Sequence, residues 1–158
     1  MIGPVTFIAR KIALHKHASK EPTGILPLSK VRRATVFVDM VDAEGDKAKK
    51  DIQHFFEPLG IEVMVLTPLK WDINYFGWMK KKNNPDFRNW GEDLFISLAD
   101  KYNFTAEYAA RCSRARFKAG HEQLAGNLFD LVVTNPEHSL PRQPEIFSAI
   151  KAYLIMIQ

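Results

Sequence analysis

The sequence predicts an α/β domain with three layers, built on a mainly parallel sheet of about five strands. Short, mostly apolar runs rich in β-branched residues alternate along the chain with stretches of helical spacing. The first two runs, residues 33–38 and 61–66, enclose a predicted helix over residues 44–56, which makes a strand–helix–strand unit. Because the crossover of such a unit is right-handed, the two strands are expected to be parallel in a Rossmann-like arrangement.

A basic helix is expected ahead of the domain. Pro4 suits the first turn of a helix, and residues 4–17 place apolar side chains on two sides with basic side chains between them. Three placements remain open for this helix: packed on the domain or on a second copy, laid on a membrane surface, or left as a disordered arm. The apolar run of residues 5–9 is too short for a signal peptide.

A linker is expected after the first helix, since residues 18–29 contain two prolines and a glycine. Residues 1–28 are therefore predicted to form an arm and linker, and residues 29–158 a single domain.

Three more strands complete the predicted sheet, and they are expected over residues 93–98, 115–118 and 129–134. A helix is expected over residues 105–114, with Asn103 or Thr105 as its cap, and Pro144 opens a last helix. The direction of the strand near Phe117 stays open.

Charge is concentrated in the arm. Residues 1–33 hold seven Lys or Arg residues and one acid, a charge of +6, so the remainder of this +4 chain carries −2. A groove for nucleic acid would spread positive charge over the domain, and this distribution argues against one. No apolar run reaches the length of a transmembrane helix. Cys112 is the single cysteine, so no disulfide can form within the chain, which is typical of a cytoplasmic protein. Cys112 itself is expected in the core.

Two passages carry a resemblance to a known family. FDLVVTNPEHSLPRQPEIFSAIKAYLIMIQ and DLFISLADKYNFTAEYAARCSRARFKAGHE together resemble an uncharacterised family of small Bacteroidetes α/β proteins, and the segment Asn74-Tyr75-Phe76-Gly77 is similar to an element of the same family. The resemblance implies a fold and no activity. The second passage is also locally similar to the N-terminal, Rossmann-like half of heptosyltransferase-type glycosyltransferases. This chain is too short to include the other half, where such enzymes hold most of the nucleotide sugar.

Motifs for common chemistries are missing from the sequence. It contains no P-loop, no glycine-rich dinucleotide fingerprint, no nucleophile elbow and no histidine pair with metal-ligand spacing. The sequence therefore points away from an enzyme and predicts no cofactor.

One candidate ligand site follows from topology. Ligands of open α/β sheets bind outside the carboxyl ends of the strands. The polar residues expected there are Asp39, Asp42, Ser97, Asp100 and Asn135. Asp39, Asp42 and Asp100 could hold Mg²⁺, as in phosphoacceptor receiver domains, or they could cap helices and turns.

A second candidate surface is aromatic and lies in residues 67–92. Its members are Trp71, Tyr75, Phe76, Trp78 and Trp90, with lysines between them. Such a surface could stack on single-stranded nucleic acid or carbohydrate, or the rings could pin a long loop to the sheet.

The leading functional interpretation is a non-enzymatic cytoplasmic binding or assembly module. Its partner, a second copy or another protein, would bind through the N-terminal arm, and peripheral membrane contact is also open. The alternative is a binder of a small molecule related to nucleotide sugars, with or without Mg²⁺, at the strand-end crevice.

Overall fold

A computed structural model describes residues 3–20, 22–39, 43–68, 90–99, 102–134 and 142–157. Within these residues five strands form one sheet: β1 (Arg33–Phe37), β2 (Glu62–Leu66), β3 (Leu94–Ser97), β4 (Phe117–Gly120) and β5 (Leu131–Val132). The same residues form four α-helices: α1 (Pro4–His17), α2 (Ala43–Phe56), α3 (Phe104–Cys112) and α4 (Gln143–Met156).

The sheet has the strand order β2-β1-β3-β4-β5, and every neighbouring pair is parallel. The predicted α/β fold, with about five parallel strands and an N-terminal helix, is confirmed. The strand near Phe117 runs parallel to β3, with Leu94 opposite Phe117. The order of the strands reverses between β1 and β3, which is the point where doubly wound sheets open a ligand crevice.

Strand β1 is covered on both faces. Ala34 and Val36 point into a core shared with α2 and α4, while Phe37 joins a second core against α3. Side chains alternate between the two faces of a strand, and a parallel sheet buries both, so a short run of apolar residues is what such a strand requires.

Helices α2 and α4 form the layer on one face of the sheet. Ile52 and Phe56 of α2 lie four residues apart and pack with Phe147 and Ile150 of α4. A 3₁₀ turn over residues 57–59 follows α2, and the chain leaves it at Gly60 with φ of 71°, a left-handed conformation that favours glycine. This is where the sequence predicts the stop.

Helix α3 forms the layer on the opposite face. Its start is fixed by Asn103, whose Oδ1 accepts hydrogen bonds from the N–H groups of Thr105 at 2.9 Å and Ala106 at 3.2 Å. Of the two caps that the sequence allows, the structure therefore uses Asn103. Tyr108 and Ala109 face Phe95 of the sheet and are buried with it.

Helix α1 packs on α3, on the face of the sheet opposite to α2 and α4. Ala13 is buried in the same core as Tyr108. The Arg10 guanidinium lies 4.4 Å from the centre of the Phe104 ring, and Nδ1 of His17 lies 2.8 Å from the Tyr108 hydroxyl. Two of the contacts that hold α1 are therefore polar or cation–π, with a small residue between them.

The segment after α1 is hydrogen-bonded to the domain. The N–H of Ser19 donates to the Arg111 carbonyl, and that of Gly24 donates to the Arg116 carbonyl, both at 2.7 Å. The Thr23 hydroxyl donates to Asp130 at 2.9 Å. These contacts set the path of the predicted linker along the ends of α3, β4 and β5.

Deletion of residues 1–28 is expected to leave a domain that unfolds cooperatively with a lower Tm. The loss should be several kcal/mol of unfolding free energy, because the truncation uncovers Phe104 and Tyr108 and removes Ala13, Leu26 and Leu28 from the margins of the two cores, whose strand residues stay in place. Thermal melting followed by circular dichroism measures this. A truncated chain without a cooperative melt would instead make α1 an integral part of the core. His17→Ala, which removes the hydrogen bond and the ring contact to Tyr108, serves as the mild control.

Candidate functional site

A small cavity lies at the carboxyl ends of β3 and β4, on the face covered by α3, and its volume is about 30 Å³. Its polar lining residues are Ser97, Tyr102, Asn103, Glu107, His121 and Glu122. Its apolar walls come from Ala99, Ala106, Leu124 and Phe129.

Ser97 is the predicted site residue that lines this cavity. It ends β3, opposite Phe37 of β1, and is only 5% exposed. Its Oγ lies 3.5 Å from the N–H of Ala99, at the outer limit of a hydrogen bond. Within the described residues the hydroxyl proton has no acceptor, so Ser97 can donate to a water or ligand in the cavity.

His121 supplies the complementary group, directly after the last residue of β4. Its Nδ1 lies 2.9 Å from the carbonyl oxygen of Val133. A carbonyl can only accept, so Nδ1 carries the proton and Nε2 of the neutral ring is an acceptor. Sequence reasoning missed His121 because it searched for histidine pairs; its place after a predicted strand run was the available signal.

The carboxylate of Glu107 is held from two sides. Its Oε2 accepts from Nε and Nη2 of Arg111 at 3.0 and 2.8 Å, and its Oε1 accepts from the Tyr102 hydroxyl at 2.7 Å. Burial and the hydrogen bond to Glu107 raise the pKa of Tyr102 to about 12. Tyr102 therefore keeps its proton and donates it in a hydrogen bond. Glu107 lines the cavity with its charge balanced by Arg111.

The size of this cavity limits what it can hold. A volume of 30 Å³ has room for about one or two waters, whereas pockets for drug-sized ligands measure about 300–1,000 Å³. The Phe129 ring packs directly over Gly120, where a Cβ atom would approach Phe129 to 2.5 Å. Glycine at the end of β4 is therefore needed for this wall to close.

Asp39 lies just beyond the end of β1, the neighbour of β3. Its N–H donates to Oε1 of Gln143 at 2.7 Å, and its carbonyl accepts from Nε2 of Gln143 at 2.5 Å. These two bonds join the end of β1 to the first residue of α4. Asp42, Asp100 and Asn135 lie outside the described residues. Among the residues that are described, no three His, Cys, Asp or Glu side chains come close enough to hold a metal ion.

Trp90 is the one described residue of the predicted aromatic surface, and it lies at the amino ends of the strands. Its carbonyl accepts from Nη1 of Arg33 at 2.7 Å, and its ring lies 5.7 Å from that guanidinium. Arg33 begins β1, so Trp90 is at the amino ends of the strands and away from Ser97. Trp71, Tyr75, Phe76 and Trp78 lie outside the described residues.

A buried lysine was also missed by sequence reasoning. Lys118 lies in β4 beside Phe95 and is 3% exposed. Burial lowers its pKa to about 8, and the neighbouring groups of Glu92, Cys112 and Asp130 oppose that shift. Glu92 is also buried and accepts a hydrogen bond of 2.6 Å from the Ser113 hydroxyl. Cys112 is buried, as the sequence predicts.

Comparison with known protein families identifies the family of this chain. Residues 9–157 match the model of a family of unknown function, DUF6913. The chain belongs to this family. The match runs from the middle of α1 through all five described strands to the end of α4. The prediction that the chain belongs to an uncharacterised family is therefore confirmed. The chain matches no curated protein sequence and no solved structure. Every described helix is too short or too polar to span a bilayer.

The stability of the protein should depend on the protonation of Lys118. Its folded-state pKa of about 8 lies below the ordinary 10.5, so the unfolded chain binds the extra proton between these values. Unfolding free energy should therefore rise with pH across this window, by up to about 3 kcal/mol relative to Lys118→Met.

Chemical denaturation of both proteins at pH values from neutral to about 10.5 measures this difference. Lys49 is exposed on α2, so Lys49→Met is the control. Its unfolding free energy should change with pH as that of the wild type does. A constant gap between wild type and Lys118→Met would contradict a depressed pKa.

Proposed function

We propose that this protein is a non-enzymatic binding or assembly module whose binding surface is the outward face of α1. The observation that carries the proposal is the orientation of this helix. Val5, Ile8 and Ile12, spaced three and four residues apart, are 72%, 56% and 59% exposed. Phe7 is also exposed, but it lies about 100° around the helix from Ile8, apart from this row.

The orientation of α1 departs from the usual arrangement. A helix on a globular domain normally buries its large apolar side chains and exposes its polar ones. Here the domain side carries Ala13 and the partly buried Leu14 with Arg10 and His17, while Val5, Ile8 and Ile12 point away. Single exposed apolar residues are common, but a row of them on one helix face is typical of an interaction site.

The domain presents this face in a fixed direction. The contacts of His17 with Tyr108 and of Ser19 with Arg111 anchor the C-terminal end of α1. A surface ordered before binding loses less conformational entropy when it binds. In this proposal residues 1–28 are the docking arm and residues 29–158 are the scaffold that positions it. A second copy or another protein as the occupant, and a cytoplasmic location, remain predictions from the sequence.

The double variant Ile8→Ser/Ile12→Ser is expected to release the protein from its partner. Velocity sedimentation of a whole lysate, with membranes retained, should show wild type in heavier fractions and the variant as the 18.1 kDa chain. Ile155→Ser/Met156→Ser is the matched control, because these α4 residues are equally exposed on the opposite layer and should leave the wild-type profile unchanged.

Sedimentation of the purified wild type then separates a second copy from any other occupant. If wild type and variant sediment alike as the single chain in the lysate, the proposal fails.

A ligand at the strand-end crevice is the second candidate function, and the pairing of Ser97 with His121 around one cavity favours it. A buried hydroxyl donor and an imidazole acceptor could hold one oxygen of a small polar ligand. Asp39, Asp42, Asp100 and Asn135 are the further contacts that the sequence predicts at this rim, with Mg²⁺ as the metal they could take. The nucleotide-sugar chemistry implied by the local heptosyltransferase resemblance, and the Bacteroidetes affinity, stay predictions.

A thermal-shift screen with Mg²⁺, nucleotides and phosphosugars tests this second function. An additive that binds at the crevice should raise the Tm of wild type and lose most of that effect in both Ser97→Ala and His121→Ala, since each removes one contact. A shift that survives both substitutions would place the ligand elsewhere. No shift with any additive would contradict the ligand function and leave the α1 surface.

A further inference from the structure

The outward face of α1 combines a row of apolar side chains with basic ones and no acid. Arg10, Lys11, Lys16 and Lys20 are the charged residues among residues 1–20, which contain no Asp or Glu. Lys11 and Lys16 are exposed on α1, and the Lys11 ammonium lies 4.8 Å from the centre of the exposed Phe7 ring. We propose that this face binds the surface of an anionic membrane, an inference that rests on the function proposed above for α1.

The arrangement of the side chains around the helix fits an interfacial position. At about 100° per residue, Ile8, Val5 and Ile12 cluster on one side, and Lys11 and Lys16 fall on the two flanks of that cluster. On a bilayer the aliphatic side chains enter the boundary between headgroups and acyl chains, while flanking lysines reach the lipid phosphates along their own stems. An anionic bilayer surface can therefore bury the apolar row and pair with the lysines at the same time.

The dimensions of α1 exclude insertion across the bilayer and allow it to lie flat. Fourteen residues make a helix about 21 Å long, shorter than a hydrocarbon core of about 30 Å. The domain contacts α1 through Ala13, Arg10 and His17 on its other side. A helix lying in the headgroup plane can therefore keep its domain in water, without any change in the contacts that hold it.

A second copy of the same face is a poorer occupant. Two such helices packed face to face would bring Lys11 and Lys16 close to their own copies, and residues 1–20 offer no carboxylate to pair with them. Like charges at close range oppose such an interface. The apolar residues are also aliphatic, whereas the centres of protein interfaces are enriched in Trp, Tyr and Arg. An anionic surface neutralises the lysines that a second copy would oppose.

Flotation of the full chain with lipid vesicles tests the inference. Wild type should float with vesicles of equal parts phosphatidylcholine and phosphatidylglycerol and stay in solution with phosphatidylcholine alone. Raising the salt from about 0.1 M to about 1 M should release it, because the screening length falls from about 10 Å to about 3 Å. Lys11→Gln/Lys16→Gln should weaken binding roughly thirtyfold, at about five- to sixfold for each lysine. Ile8→Ser/Ile12→Ser should weaken it by roughly a hundredfold.

Two matched controls separate this face from general charge and stickiness. Lys49→Gln/Lys50→Gln removes the same charge from exposed positions of α2, and Ile155→Ser/Met156→Ser removes comparable apolar side chains from α4. Both should float as wild type does, and all variants should keep the wild-type Tm within a few degrees. Binding that the two lysine pairs weaken equally, or that neutral vesicles support equally, overturns the inference.

The lysate experiment distinguishes the failure of this inference from the failure of the proposed function. If wild type does not float but Ile8→Ser/Ile12→Ser still shifts the lysate profile, the face binds a protein and the membrane inference is wrong. If the variant changes neither flotation nor the lysate profile, both proposals are wrong.

Discussion

A parallel sheet must be covered on both faces, and this constraint sets the places of α2, α3 and α4. Strand β1 buries Val36 on one side and Phe37 on the other, so each face requires its own apolar layer. Helices α2 and α4 supply one layer and α3 supplies the other. Once α3 has covered its face, α1 has no sheet left to cover and packs on α3 instead. The exposed row on α1 follows from this arrangement, because α1 adds only Ala13 and Leu14 to a core that α3 already forms with the sheet.

Much of the fold could be predicted from local sequence. The runs RATVF and EVMVL are short, apolar and β-branched, and the glycine and proline after α2 mark its end, so strand and helix positions followed within a few residues. The extent of α1 was also predictable from Pro4 and the helical spacing. Its orientation was not, because both sides of the helix carry apolar residues, and Phe104 and Tyr108, which select the buried side, lie about ninety residues away.

The candidate site was predictable only in part. Ser97 followed from the rule that ligands gather at the carboxyl ends of parallel strands, and the same rule applied to His121 would have found it. What sequence could not show is that Tyr102, which precedes α3, and Glu107, within α3, line the same cavity as Ser97, since those contacts depend on tertiary packing. Lys118 escaped for a different reason. A lysine in a short strand is normally assigned to solvent, and only the position of α3 over that face buries it.

The brevity of β5 has a further consequence for the behaviour of the protein at high concentration. An edge strand is a template on which another chain can add its own backbone, and long, flat edges are where amyloid-like growth begins. Strand β5 has two residues, Leu131 and Val132, which pair with Ala119 and Gly120 of β4. A strand from another chain could pair with only the two residues of β5 at that edge, which is too short a pairing to be stable. At that edge the shortness of β5, the last strand among the described residues, opposes the growth of fibrils.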